Sequence, residues 1–206
     1  MSDARAEILG RVRDALGASV AVPEVQRAYR GAGSAPEGDL VELFCERVAD
    51  YRATVHRVSA GGWAEALAEA CRGRGVQRLV TPPGWVLPGL DLVADDPPLS
   101  ARDLDGLDGV ATGCALAIAE TGTIVLDGGE RSGRRAITLV PDYHACVVDA
   151  ADIVASVPDA IAALANAAAA GRPITFVSGP SATSDIELDR VEGVHGPRTL
   201  DVFVVA

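Results

Sequence analysis

Lysine is absent: all 18 basic residues are arginines. That excludes a lysine Schiff base, a pyridoxal-phosphate anchor and a Walker-type phosphate lysine. Set against 29 acidic residues, the arginines leave a formal charge of -11. No basic cluster interrupts that balance, so nucleic acid and anionic membrane surfaces, which are held by clustered cations, are poor partners. No apolar run reaches the ~20 residues of a membrane span, and the amino terminus, MSDARAEILGRVRDAL, lacks the apolar centre of a signal peptide. The expectation is a cytoplasmic protein without a membrane span. The four cysteines, Cys45, Cys71, Cys114 and Cys146, show no C-x-x-C pair and no iron-sulfur or zinc-ribbon spacing, and are expected as buried thiols. Neither G-x-G-x-x-G, nor a P-loop, nor G-x-S-x-G occurs.

What remains is an Ala/Val/Leu-rich chain of 206 residues, 49% hydrophobic and only 4% aromatic, long enough for one main domain with a small appendage. Its first helix is expected to be capped by Asp3, to carry Ile8, Leu9, Val12 and Leu16 on one face, and to stop at Gly17. An aperiodic stretch, Ala18 to Gly38, would tether it and leave it able to pack on a second subunit, which suggests a homodimer. From Asp39 a second helix, a strand at Thr54 to Val58, a third helix at Trp63 to Arg72 and a strand at Val76 to Val80 give a βαβ crossover, hence an α/β sheet with parallel strands. Trp85 to Gly113 gives only short signals, including a brief helix near Ser100 to Leu104. Two strands around Glu120-Thr121-Gly122 and two around Pro141-Asp142-Tyr143 are expected to pair in sequence. Ser156-x-x-Asp159 opens an alanine-rich helix through Ala170, with Ile161 and Leu164 inward, and Leu200 to Val205 forms the last strand.

The chemistry concentrates in Thr175 to Pro197, where an apolar strand expected to be buried (Ile174, Phe176, Val177) runs into a Ser178-Gly179-Pro180-Ser181 turn and then Asp185, Glu187 and His195. Polar groups after an apolar strand are expected at the carboxyl edge of a sheet. The turn's hydroxyls and N–H groups can bind a carboxylate or phosphate, or can simply cap the next element. Asp185, Glu187 and His195 could relay protons or ligate a metal, although as an isolated pattern they are weak evidence for one. Glu120, at a strand end, is either a desolvated acid, base or nucleophile or a carboxylate accepting backbone hydrogen bonds in its turn. Of the three histidines, His144 and His195 fall in polar turns and His56 in an ordinary strand. Taken singly, His144 reads as a satisfied strand residue and His195 as a turn cap.

In combination, AIAETGTIVL at Ala117 to Leu126, PDYH at Pro141 to His144, SGPSATSDIE at Ser178 to Glu187 and GVHGPRTL at Gly193 to Leu200 resemble the LUD domain, most closely the lactate utilisation protein C (LutC/YkgG) family. The resemblance implies a NagB/RpiA/CoA-transferase-like fold, a twisted, mainly parallel sheet flanked by helices, over residues 39–206, with 1–38 as helix and tether. It implies a part in oxidising L-lactate to pyruvate alongside two iron-sulfur proteins. Because the chain carries neither an NAD fingerprint nor cluster-type cysteine spacing, the expectation is an accessory or ligand-binding, non-redox subunit with no intrinsic cofactor. The resemblance carries over Glu120, His144, Asp185 and His195 as candidate catalytic residues. Thr121, Gly122, Thr123, Ser178, Gly179, Ser181, Thr183, Glu187 and Gly196 carry over as candidate binders of a small carboxylate or phosphorylated ligand, and Pro180 belongs to the same motif. Family members often have a basic residue where this chain has Ala182, and a small apolar one at Ser184. The alternatives are a stand-alone acyl- or CoA-transferase or isomerase using Glu120, and a small-molecule sensor of the same fold.

Overall fold

A computed structural model describes residues 2–17, 23–33, 38–183, 191–193 and 195–206. The chain forms two compact units, Met1–Arg30 and Gly31–Ala206. The first contains helix α1 (Ser2–Leu16), in which Asp3 lies inside the first turn rather than at the cap; Gly17, at φ +70°, ends it. Ile8, Leu9, Val12 and Leu16 are exposed.

In the second unit, the Asp39 carboxylate accepts hydrogen bonds from the Val41 and Glu42 amides and so starts α2 (Leu40–Asp50), which buries Phe44, Cys45 and Val48. There follow β1 (Thr54–Val58), α3 (Trp63–Gly73), β2 (Arg78–Thr81), β3 (Asp91–Ala94), α4 (Ala101–Asp105), β4 (Gly109–Gly113), β5 (Leu116–Ile118) and β6 (Thr123–Leu126). The chain continues through β7 (Tyr143–Asp149), β8 (Ile153–Val154), α5 (Val157–Ala163), α6 (Ala165–Ala169), β9 (Thr175–Val177), β10 (Ala182–Thr183), β11 (Val191–Glu192) and β12 (Thr199–Val205).

Six parallel strands form the main sheet in the order β1-β12-β7-β4-β2-β3, flanked by helices, as expected for an α/β protein. Alternation along β7 sorts its side chains. Tyr143 and Ala145 join Leu79, Ala111 and Phe203 under Leu67 and Cys71 of α3. Cys146 and Val148 face the opposite way, into a core shared by α2 and a second sheet ordered β8-β5-β6-β9. That sheet's outer side packs on Ala160 and Leu164. All four cysteines are buried and free, in agreement with the sequence reading. No helix among the described residues is long and apolar enough to cross a membrane.

Several expectations are corrected. β1 and β2 are parallel members of one sheet but not neighbours, because β12, β7 and β4 pair between them. Of the four strands expected to pair in sequence, only β5 and β6 do. Residues Arg135–Thr138 form a 3-10 turn instead of a strand, and β7 lies between β4 and β12, since its near-continuous apolar run suits a strand covered on both faces. The alanine-rich helix breaks at Leu164, and Ile161 is exposed, pointing away from the sheet that buries Leu164. β9 is an edge strand of the small sheet with Phe176 exposed, not a buried strand.

Candidate functional site

The turn after β9 is built by packing as much as by its own sequence. Thr123 follows the β5–β6 turn, and its Oγ1 lies 2.7 Å from Thr121 Oγ1 and 2.8 Å from Ser178 Oγ. A chain of hydroxyls therefore joins the Glu120-Thr121-Gly122 turn to Ser178. Gly122 (φ +58°) and Gly179 (φ +153°) both lie against the end of α2: a Cβ on Gly122 would come 2.5 Å from the Arg47 carbonyl carbon, and one on Gly179 would come 2.8 Å from Tyr51. These glycines are required by close backbone approach and dihedral angle.

Beyond the turn, the Ser181 amide donates to the Pro197 carbonyl (2.8 Å), its Oγ accepts from the His195 amide (3.0 Å), and its carbonyl accepts from the Gly193 amide (2.9 Å). Short antiparallel pairing of β10 with β11 completes this flap. Gly196 sits beside Ser181 and the Thr138 carbonyl.

Ser178 to Ser181, His144, His195 and Gly196 line one cavity of about 360 Å³ together with Arg135, Thr138 and Tyr51. It lies over the amino-terminal ends of β7 and β12, not over the carboxyl edge of the main sheet as the sequence suggested; only its own short strand, β9, ends there. His144 is buried, with Nε2 2.8 Å from Thr112 Oγ1, while His195 is exposed. Behind His144, Thr112 also approaches Cys146 Sγ (4.0 Å). A hydrogen bond shared with Cys146, together with burial, pushes the Cys114 thiol well up, and the same bond with help from His144 pulls Cys146 down. Asp185 and Glu187 lie outside the described residues, as does the side chain of Thr183.

Glu120 is not among the described residues lining this cavity. Its Oε1 accepts from the Val157 amide at 2.8 Å, at the first residue of α5, a long-range contact with a helix start and not a bond within its own turn. Glu120→Ala is expected to cost about 0.5–2 kcal/mol, the range for a lost helix cap, measured by urea denaturation. A stability unchanged from that of the unsubstituted chain would contradict this role.

Arg135 escaped sequence reasoning because it stands in no motif, one of two adjacent arginines in a loop. Its Nη1 donates to the Thr138 carbonyl (2.7 Å) and Oγ1 (3.0 Å), and its Nη2 donates to the His195 carbonyl (3.2 Å). Partial burial lowers its pKa from the ordinary guanidinium value, yet an arginine remains cationic. It supplies to the cavity the positive charge that Ala182 cannot.

A family model described as the LUD domain matches residues 101–205. The chain belongs to the LUD-domain family. It is 43% identical to lactate utilization protein C of Deinococcus radiodurans over 99% of this chain and 96% of that protein. It is 26% identical to the protein of the same name from Bacillus velezensis over 93% and 88%, respectively. The crystal structure of a DUF162 family protein from Deinococcus radiodurans superposes with a TM-score of 0.71 at 39% identity, covering 83% of this chain and all (100%) of that one. Within this LUD domain the described parts of the four sequence motifs are the β5–β6 hairpin, the entry to β7, the turn after β9 and the entry to β12. The last three meet at the cavity, whereas the hairpin reaches it through the Thr123–Ser178 bond.

Proposed function

We propose that this protein serves L-lactate utilisation as a non-redox, ligand-binding subunit, taking a small 2-hydroxy or 2-oxo acid in the cavity between His144 and the Ser178–Ser181 turn. The observation that carries this reading is Arg135: it brings a guanidinium to a cavity whose other walls are two imidazoles, hydroxyls and an apolar part that includes Phe176, Val177 and Pro180. A carboxylate pairs well with a planar donor fork, and the neighbouring hydroxyls suit an α-substituent oxygen. The names of the relatives supply the lactate context. Electrons are assigned to iron-sulfur partner proteins, because this sequence contains neither a dinucleotide fingerprint nor cluster-type cysteine spacing. Acyl or CoA transfer through Glu120 has less support, since that carboxylate is engaged at the start of α5.

Calorimetric titration with L-lactate and with pyruvate is expected to show saturable binding of at least one. Arg135→Gln should weaken it about tenfold or more, the loss of one charge-assisted contact, and Arg135→Lys should retain part of the affinity. If neither acid binds, or if Arg135→Gln leaves binding unchanged, the reading fails. Co-purification of iron-sulfur proteins from lactate-grown cells tests the partner assignment separately.

A further inference from the structure

A second cavity, also of about 360 Å³, opens at the carboxyl ends of β4, β7 and β12. It lies in the same compact unit but uses none of the motif residues. In open parallel sheets, ligands sit outside the carboxyl ends of the strands where the strand order reverses. The reversal occurs here: β2 and β3 extend to one side of β4, and β7 and β12 to the other.

The walls are distinctive. The chain has two tryptophans, and both line this cavity: Trp63 at the start of α3 and Trp85 in the turn after β2. Their rings meet edge to face, with centroids 5.7 Å apart and planes at 78°. Both remain partly exposed, and Val86 beside them is 82% exposed. In a protein so poor in aromatic residues, that is an unusual grouping of flat apolar surface around a cleft.

Polar groups line the same cavity. Arg131 lies across the end of β4, where the absence of a side chain on Gly113 makes room: a Cβ there would be 3.2 Å from Arg131 Nε and 3.3 Å from its Cβ. Its guanidinium pairs with Asp152, and Asp149 lines the same cavity. One cation beside two carboxylates leaves no surplus positive charge, so a free anion is poorly served. A ring that offers both an acceptor and a donor edge is served well.

From this placement we propose that the cavity binds an uncharged planar heteroaromatic ring, of the kind found in isoalloxazines and purines, stacked on Trp85 with its polar edge toward Arg131 and Asp149. The assignment shares no residue with the Arg135 cavity, so it stands apart from the lactate site; a flavin ring here, rather than a purine, would replace the non-redox part of the reading above and leave that site untouched.

Riboflavin and adenosine, titrated calorimetrically into the full chain, distinguish the two ring types. One of them is expected to bind. Trp85→Ala should weaken that binding about 5- to 100-fold, the range for one ring-stacking contact, while Arg135→Gln leaves it unchanged. Because Trp85→Ala could disturb folding, Val86→Asp provides a second test: it alters an exposed position at the cavity mouth and should also weaken binding several-fold. Three results would each overturn the proposal: no binding of either compound, binding indifferent to both substitutions, or binding lost with Arg135→Gln.

Discussion

Arg74→Ala is expected to lower the unfolding free energy by about 3 kcal/mol and the melting temperature by about 6–12 °C. Asp201 lies in β12 with no exposed surface, and its carboxylate takes two hydrogen bonds from Arg74, at 2.9 and 2.7 Å, and one from the Tyr143 hydroxyl, at 3.1 Å. Burial, with the Asp201 charge next in weight, pushes the Tyr143 phenol far above its ordinary range, so it stays a donor. His56 Nε2 is 3.6 Å from Asp201, with no hydrogen-bond partner among the described residues, and its ring stacks on Phe203. Removing the guanidinium would leave a carboxylate inside the sheet with one neutral donor, the arrangement in which a buried charge is most costly. The Arg74 side chain is 37% exposed, which places the effect toward the lower end of the range for breaking buried pairs. Adding Asp201→Asn to Arg74→Ala should recover part of the loss in chemical denaturation. A double variant no more stable than the single one would show that the unpaired charge is not the cause. Arg57→Ala, which breaks an exposed pair with Glu42, is the control and should leave the midpoint in place.

Gly122→Ala is expected to be of similar severity, about 2–5 kcal/mol, as two costs combine: a left-handed backbone angle, ~1–2 kcal/mol for an L-residue, and overpacking against main chain, ~1–3 kcal/mol. The methyl group would meet the Arg47 carbonyl carbon at 2.5 Å and the Val48 amide nitrogen at 2.6 Å, atoms of a helix that cannot swing aside. Gly171→Ala separates the two contributions. Gly171 has a similar φ, +68°, but nothing within 4 Å of a Cβ, so its substitution should cost only the dihedral part. Equal losses at the two positions, measured by urea unfolding, would refute the packing argument. Since Thr121 and Thr123 flank Gly122 and Thr123 holds Ser178, displacing this turn should also weaken ligand binding in the Arg135 cavity.

The division between what was legible and what was not follows from the range of the interactions. Local rules found the Asp39 cap of α2 and the Ser100 and Ser156 starts of α4 and α5, because each depends on hydrogen bonds spanning at most three residues. Motif comparison located the β5–β6 hairpin and the turn after β9; that the two are joined by the Thr123–Ser178 hydroxyl bond is a tertiary fact. Local rules could not place β7 at the middle of a sheet, because strand order is decided by long-range pairing with β4 and β12. Nor could they foresee that the Glu120 carboxylate accepts from the Val157 amide, 37 residues away.

The sequence by itself therefore determined the α/β class, the family, the buried reduced thiols and the residues from which a polar turn would be made. Only the tertiary structure decided that His144 and His195 share a cavity with Arg135, that this cavity lies at the amino ends of the main strands, and that both tryptophans gather at the carboxyl ends. The physical reason is that propensity and capping act over a few residues, whereas a site is assembled by sheet order, which brings Trp63, Trp85 and Arg131, from three separate connections, together with Asp149 at the end of β7.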